Sequence, residues 1–599
     1  MKIPSPGFLI EAFAQVLRRF PTTVLCACIG VAATFIIIEN NDNTDEWARA
    51  CLVCLLGLPF LTGLVAFSES KGWDEKRGLM LQGVGIVLLA SYWFWLDVKA
   101  EGFEYRVLPG YMTLVLVAHL FVAVAPYLND RPVRDFWEYN KELFANIIVG
   151  ASFTLILFAG LSLAILAVDQ LFDLSLRQRI YPRLFSLLAG IFNTAYFLYH
   201  LPKNYSFNTS DDGTYSTIFK SLCKFILIPI VGLYFLILYA YSFKIIGTWS
   251  LPRGWVGSLV TGFSVAGIFT YLLNFYLPEQ DAAPHIRAYR RWFWWVLFPL
   301  TILLFVAVGR RIFDYGVTEM RFLVAGMGVW IALTCLYFFF SKKDNIKFIP
   351  ISLGLFVLAY AFGPLSGRAV AERSQVGRIT QILEQTGRLE NGKMKPGTSP
   401  VTAVEFEQFE SAIYFLEKRK RLNVLNTMLP MPIENLPEMP GFYGNAGKLR
   451  GWLGMGGSAT ERSNQAYVSV SSNTELDPVD IRGYAMFQSI SLNRSSEITF
   501  KYKGDYFSIS ADGKWLEWWR YDGKSKKEMI EKLDLQGIIK KWLDLRSDDN
   551  SYIDLSKKDN TVDLRGKNGT VRLVIQSGRA EMKDGAWYME DLSGFLFVK

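Results

Sequence analysis

Two pairs of closely spaced cysteines, Cys26-Ala27-Cys28 and Cys51-Leu52-Val53-Cys54, have the spacing of metal or redox ligands. A zinc or cluster site needs partner Cys or His at defined distances, and the chain holds 6 cysteines and 3 histidines in all. Every cysteine (Cys26, Cys28, Cys51, Cys54, Cys223, Cys335) falls in an apolar segment. They read as small apolar packing residues, and no metal is expected. Gly447-Lys448 invites a phosphate-loop reading, which needs an upstream glycine, four intervening residues and a Ser or Thr after the lysine. Phe442 and Leu449 occupy those positions, so the pattern fails. The chain contains no HExxH, no GxSxG and no GxGxxG that opens a helix after a strand. No catalytic residue and no cofactor is assigned, and the expectation is a protein that is not an enzyme.

A different chemistry is open to polar residues inside apolar runs, because lipid makes them costly and a function justifies the cost. His119, Asn193 and Asn274 are such residues, and Asp169-Gln170 and Asp173 close another run. They suit either hydrogen bonds between helices or the lining of an intramembrane cavity. Arg310-Arg311 sits at the edge of a run. Guanidinium forks fit phosphate or a lipid headgroup, and the same pair serves equally as a snorkelling anchor.

The elements that position these residues follow from a strong asymmetry. Of 599 residues, 51% are hydrophobic and 20% charged, with a net charge of +8. Residues 365–599 hold 34 Lys+Arg and 31 Asp+Glu, more than half of all charges. Residues 1–364 interleave few charges with long apolar runs, more apolar surface than a compact soluble domain hides. Collagen, disorder and a disulfide-rich scaffold are excluded by the same composition. A bilayer core of about 30 Å needs about 20 apolar helical residues. Eleven segments qualify: 21–38, 49–68, 78–96, 107–128, 146–171, 182–201, 223–243, 255–277, 292–309, 320–340 and 346–364. Ahead of them Phe8, Leu9, Ala12, Phe13, Val16 and Leu17 recur at helical spacing beside Arg18 and Arg19, the pattern of an interfacial amphipathic helix over 1–20.

With the N-terminus inside, the short inner loops collect 18 Lys and Arg against 11 outside, and the first outer loop is acidic and polar. The positive-inside rule therefore predicts a cytoplasmic N-terminus. An odd number of spans then carries residues 365–599 out of the cytoplasm.

Within that tail, 368–388 and 402–427 read as helices, together forming a stalk over 365–430. A Pro/Gly-rich linker covers 431–464. From Gln465 the periodicity changes to two, and nine strands are expected, interrupted by a helical insert from about Ser525 to Leu545. The turn dipeptides Asp512-Gly513, Asn568-Gly569 and Asp584-Gly585 separate several of them. The fold class is thus a polytopic α-helical membrane bundle followed by a soluble α+β domain with a mainly antiparallel sheet. Its core is expected to draw on Tyr484, Phe487, Phe500, Tyr502, Phe507, Trp515 and Trp518. The basic excess of the tail is small and dispersed, which argues against a nucleic-acid partner. The partners expected are the lipid bilayer and an envelope protein or lipid.

Several segments also resemble a known family. Asp135-Phe136-Trp137-Glu138-Tyr139-Asn140, Phe192-Asn193-Thr194-Ala195-Tyr196-Phe197-Leu198, Lys224-Phe225-Ile226-Leu227-Ile228-Pro229 and Arg290-Arg291-Trp292-Phe293 are similar to the bacterial inner-membrane family catalogued as domain of unknown function 4153. The likeness covers about residues 10–370. It implies a bacterial inner-membrane location and no established activity, and it assigns no residue a role. The function expected is display of an extracytoplasmic domain that binds an envelope component or a partner protein; a transporter or lipid-handling permease is the alternative.

Overall fold

The computed structural model describes residues 5–40, 44–100, 103–207, 221–248, 256–276, 284–341, 345–399, 401–438, 444–455, 467–471, 484, 486–493, 497–499, 505–510, 513–521, 527–545, 552–556, 559–565, 570–583 and 586–598. They divide into two compact units: Met1–Gln381 with Ser411–Val424, and Ile382–Glu410 with Leu425–Lys599.

The first unit begins with α1 (Pro6–Arg19), capped by the Ser5 side chain and exposing Phe8, Ile10, Phe13 and Leu17. The long helices come next as α2 (Pro21–Glu39), α3 (Asp45–Ser70), α4 (Glu75–Trp95), α5 (Leu108–Val124) and α6 (Val133–Phe172). Pro21 opens α2 at a position where its missing N–H costs nothing, and Asp45 and Glu46 complement the positive end of α3. The sixth expected span is helical but interrupted: α7 (Ile180–Leu187) and α8 (Asn193–Tyr199) are joined by a π-helical turn, Leu188–Phe192. A second π turn, Cys223–Leu227, leads into α9 (Ile228–Thr248). Then come α10 (Val256–Asn274), α11 (Pro284–Tyr315), α12 (Glu319–Phe340) and α13 (Phe348–Ala361).

Among the described residues, nine helices are long and apolar enough to cross a membrane. The other two expected spans are the interrupted α7–α8 segment and α13, which has 14 residues. Both nevertheless run from one end of the bundle to the other. At one end Arg19 donates to the carbonyls of Leu201 and Pro202, Arg131 to that of Ser70, Trp137 to that of Leu272 and Lys347 to that of Arg131. At the other, Arg179 donates to the Glu39 carbonyl, Lys99 pairs with Asp45 and Tyr360 donates to the Glu319 carbonyl. The contacts trace an alternating path of helices.

Small residues let the helices approach. A Cβ on Gly63 would lie 2.4 Å from the Phe121 ring, one on Gly85 2.6 Å from Leu64, and one on Gly57 2.7 Å from the Cys26 sulfur. In lipid, where apolar burial drives little, such close packing is a principal source of association. Tyr139, Phe20, Phe293 and Leu297 are among the fully buried members of the apolar core.

In the second unit, the carbonyls of Thr386, Gly397, Ser399, Leu453 and Gly454 surround the Arg388 guanidinium. The β1 (Leu389–Glu390) and β2 (Lys393–Met394) hairpin turns through Asn391 and Gly392, both at positive φ. Two helices cross the division between the units, α14 (Gly367–Gln385) and α15 (Ala403–Lys418). The Pro/Gly-rich stretch is not a bare linker: α16 (Gly444–Leu453) buries Ala446, Leu449 and Leu453.

The sheets obey the two-residue periodicity. One has the order β4 (Met486–Asn493), β12 (Ala586–Val598), β11 (Thr570–Lys583), β3 (Tyr467–Ser471), β9 (Tyr552–Asp554), with β10 (Thr561–Arg565) also on β11. The other is β5 (Glu497–Thr499), β6 (Asp505–Ile509), β7 (Trp515–Tyr521), β8 (Lys527–Asp534). All ladders among the described residues are antiparallel except β3 with β9. The insert expected as one helix splits: its first half is β8, and only α17 (Gln536–Asp544) is helical. Strand pairing prevails there because Lys527–Asp534 lies along β7, with Lys532 bonded to Glu517 opposite it at 3.0 Å. Of the aromatic residues expected in the core, Phe507 and Trp518 are buried, Trp515 is half-buried, and Tyr484 packs its ring on Phe597. Trp542 of α17 was not among those expected; it is fully buried and lies over Gly578, where a Cβ would come within 2.5 Å of it. Phe500, Tyr502, the Phe487 side chain and the Asn568-Gly569 and Asp584-Gly585 turns lie outside the described residues.

Candidate functional site

The polar residues singled out in the spans occupy separate places. His119 is on the exposed side of α5, its ring Nδ1 2.8 Å from the Val115 carbonyl oxygen one turn back. Asn193 opens α8 directly after the π turn, and its side-chain oxygen faces Gly150 of α6, 2.8 Å from where a Cβ would be. The π turn has a steric companion: Gly190 within it meets Val31 of α2, 2.3 Å from a Cβ position. Asn274 is fully buried on α10; its amide nitrogen donates to the Thr270 carbonyl at 2.8 Å, and its oxygen accepts nothing from the described residues. Asp169, in the last turn of α6, accepts the Leu176 N–H with its carboxylate and fixes the chain that follows the helix. The cysteines are free thiols, with the Cys26 sulfur 3.7 Å from the Cys54 carbonyl oxygen.

The densest charged constellation lies instead at the Arg19 end. Arg19, the last residue of α1, forms a two-pronged pair with Glu69 near the end of α3, both contacts at 2.8 Å. Its remaining donors reach the Leu201 and Pro202 carbonyls, and the Tyr205 hydroxyl donates to Glu69 at 2.6 Å. Burial first, and then the adjoining Glu69 carboxylate, push the Tyr205 phenol up, so it stays neutral and donating. Around it, Tyr127 donates to the Tyr205 carbonyl, Arg131 lies over the Tyr205 ring and Asp135 accepts the Phe207 N–H. Each oxygen of Glu69 is engaged, so this network ties helices together and offers no free base.

The opposite end gathers cations. Arg321, in the first turn of α12, donates to the Tyr315 and Gly316 carbonyls at 3.1 and 2.8 Å. Arg378 of α14 reaches the same turn, its Nη1 3.5 Å from a Cβ position on Gly316, and Arg311 and Arg378 both act electrostatically on Arg321. Arg310 precedes them on the exposed side of α11. Glu319 beside them is matched by Arg419, with both contacts at 2.6 Å. Like charges at the positive end of a helix favour an anion, and guanidinium groups suit a phosphate. The sequence pointed to Arg310 and Arg311. It carried no signal for Arg321 or Arg378, because the turn at Gly316 (φ +73°) is what brings them together.

A family model described as "Domain of unknown function (DUF4153)" matches residues 25–391. A curated relative, an uncharacterized protein of Pasteurella multocida (strain Pm70), is 22% identical over 309 residues, covering 46% of this chain and 51% of the relative. The chain thus spans about half the length of that relative. No solved structure matches.

Proposed function

The chain belongs to the family described as a domain of unknown function (DUF4153), and from that premise we propose that it is a multi-span protein of the bacterial inner membrane. Its C-terminal domain is displayed outside the cytoplasm, where it binds an envelope component or a partner protein. The observation that carries this reading is the self-contained core of residues 467–598, built on two sheets and Trp542. In the bundle, by contrast, His119 is bonded to the helix carbonyl one turn back, Asn193 packs against Gly150, and the amide nitrogen of Asn274 is bonded to the Thr270 carbonyl. Positive-inside counting puts the Arg19 end in the cytoplasm. The alternating path of helices then brings Tyr360 and Glu319 to the outer side, which supports an extracytoplasmic start for residues 365–599.

The test is complementation of a strain that lacks the gene. The whole chain should restore the deletion phenotype, and a chain ending at Val424, which keeps the whole first unit, should insert stably yet fail to restore it. Full rescue by the shortened chain would sink the reading. A periplasm-dependent reporter fused after Lys599 should be active, and activity of a cytosol-dependent reporter there would reverse the sidedness.

A second reading, a lipid-handling permease, is favoured by one observation: an apolar groove between α3, α4 and α5.

A further inference from the structure

The first helix, α1, sorts its side chains into three sectors. At about 100° per residue, Ala12, Val16 and Arg19 share one direction, Glu11, Gln15 and Arg18 a second, and Ile10, Phe13 and Leu17 a third, each set within about 60°. The bundle takes up the first sector: Val16 is 3% exposed, and Arg19 is held by Glu69 and by the Leu201 and Pro202 carbonyls. The second sector is polar and exposed, as contact with water requires. The third is apolar and yet uncovered, with Ile10, Phe13 and Leu17 at 72%, 41% and 46% exposure.

The lie of the helix identifies what covers that third sector. Near its start, the Phe8 ring meets the Tyr199 ring edge-on, with centroids 6.2 Å apart. At its other end, Arg19 reaches the carbonyls of Leu201 and Pro202, just beyond the end of α8 at Tyr199. Phe8 and Arg19 are separated by about 16 Å along α1 at 1.5 Å per residue, yet both touch the same end of α8. The helix therefore lies across the end of the bundle and not along a span. Phe20, fully buried, makes the corner, and Pro21 starts α2 directly, so α1 sits at the level where a span begins. About one and two turns further on, α2 leaves Leu25 and Ile29 exposed, which places lipid against the bundle just beneath the corner. Bundle, water and leaflet are the three surroundings at that level, and they match the three sectors. Charge settles which part of the lipid is met. Glu11 offsets Arg18, and Arg19 is matched by Glu69, so the described residues of α1 offer a headgroup no net charge. They offer apolar surface.

We propose that α1 is an in-plane membrane anchor, which buries Ile10, Phe13 and Leu17 among the acyl chains of the leaflet at the Arg19 end and keeps Glu11, Gln15 and Arg18 in water. Amphipathic spacing alone predicts a helix with two faces. The tertiary structure adds the bundle-bound face, and the Arg19 clamp that fixes the height and rotation of the helix. This anchor does not depend on what the C-terminal domain binds, so the failure of either reading leaves the other standing.

The test places a photoreactive side chain on each open sector. In the full chain, p-benzoylphenylalanine replaces Phe13, Leu17, Glu11 or Gln15 singly; all four positions are exposed, so the fold has room for the label. Each protein is reconstituted in vesicles of phosphatidylethanolamine and phosphatidylglycerol, irradiated and read by mass spectrometry. Labels at Phe13 and Leu17 should give phospholipid adducts attached through acyl carbons, and labels at Glu11 and Gln15 should lose them. Exchanging phosphatidylglycerol for phosphatidylcholine should leave the Phe13 yield unchanged, because headgroup charge plays no part. Equal lipid yields from the two sectors would overturn the proposal. So would adducts confined to headgroups, a yield that vanishes without phosphatidylglycerol, or cross-linking of Phe13 and Leu17 to a second copy of the chain, which would make the sector a protein interface.

Discussion

Arg19 and Glu69, 50 residues apart in the chain, meet in a two-pronged ion pair that joins the end of the amphipathic helix to the end of α3. Both side chains are largely shielded, so removing one partner strands the other in a poorly solvated place. Glu69→Gln should lower unfolding stability by about 2 kcal/mol. The pair Arg19→Met with Glu69→Met should cost less than the sum of the single changes. A double-mutant cycle followed by thermal melting in detergent measures this, and strict additivity would show that the pair is uncoupled.

The guanidinium of Arg388 donates to a cage of carbonyls, those of Leu453, Thr386, Gly397, Ser399 and Gly454. Burial makes its charge harder to hold and pulls its pKa down, and the carbonyl cage offsets that penalty. Arg388→Met should strand these acceptors and destabilise the segment 382–455 by about 3 kcal/mol. Arg388→Lys should recover only part, since an ammonium cannot reach so many planar-spaced acceptors. Limited proteolysis of the full chain reads the result as earlier cutting in that segment.

The start of α15 depends on pH. Glu405 accepts the Thr402 N–H at 2.9 Å and the Thr402 hydroxyl at 2.8 Å, while the Glu405 N–H returns to that hydroxyl, closing a capping box. The backbone bond, then the hydroxyl bond, hold its carboxyl below the ordinary value of 4.5. A carboxylate lowered by folding adds stability above its unfolded pKa, and that stability is lost as the pH falls through the folded value. Amide exchange in the first turn should therefore be slow at pH 6 and speed up below about pH 4.5 beyond its intrinsic pH trend. Glu405→Gln should flatten this dependence, and Thr402→Ala should cost about 1 kcal/mol at neutral pH.

Arg311, Arg321 and Arg378 converge at the end of the bundle opposite Arg19. Each cation close to an anionic membrane surface contributes about 1 kcal/mol. Replacing all three by Gln should reduce co-purifying phosphatidylglycerol relative to phosphatidylcholine by at least about tenfold. The difference should shrink as salt rises, and an unaltered lipid ratio would exclude a role in headgroup binding.

The amphipathic start, the long apolar runs and the period-two tail were legible from residue order alone, because burial in lipid and alternation across a sheet are written locally. Apolar length also located the eleven helical segments, but it said nothing of the π turn before Asn193, which coincides with the close approach of Gly190 to Val31. The first half of the Ser525–Leu545 insert was misread as helix because β8 depends on the register of β7, a partner that composition does not reveal. The same distinction separates the candidate residues. His119, Asn193 and Asn274 stood out as polar letters among apolar ones, whereas Glu69, Tyr205 and Arg321 looked ordinary at span edges and Arg378 looked ordinary in a tail helix. Their importance comes from partners far away in the chain. Local sequence thus determined which segments are apolar enough to enter lipid and that most of the tail alternates as strands. Only tertiary packing decided which charges meet, because those are distances between segments that no single segment encodes.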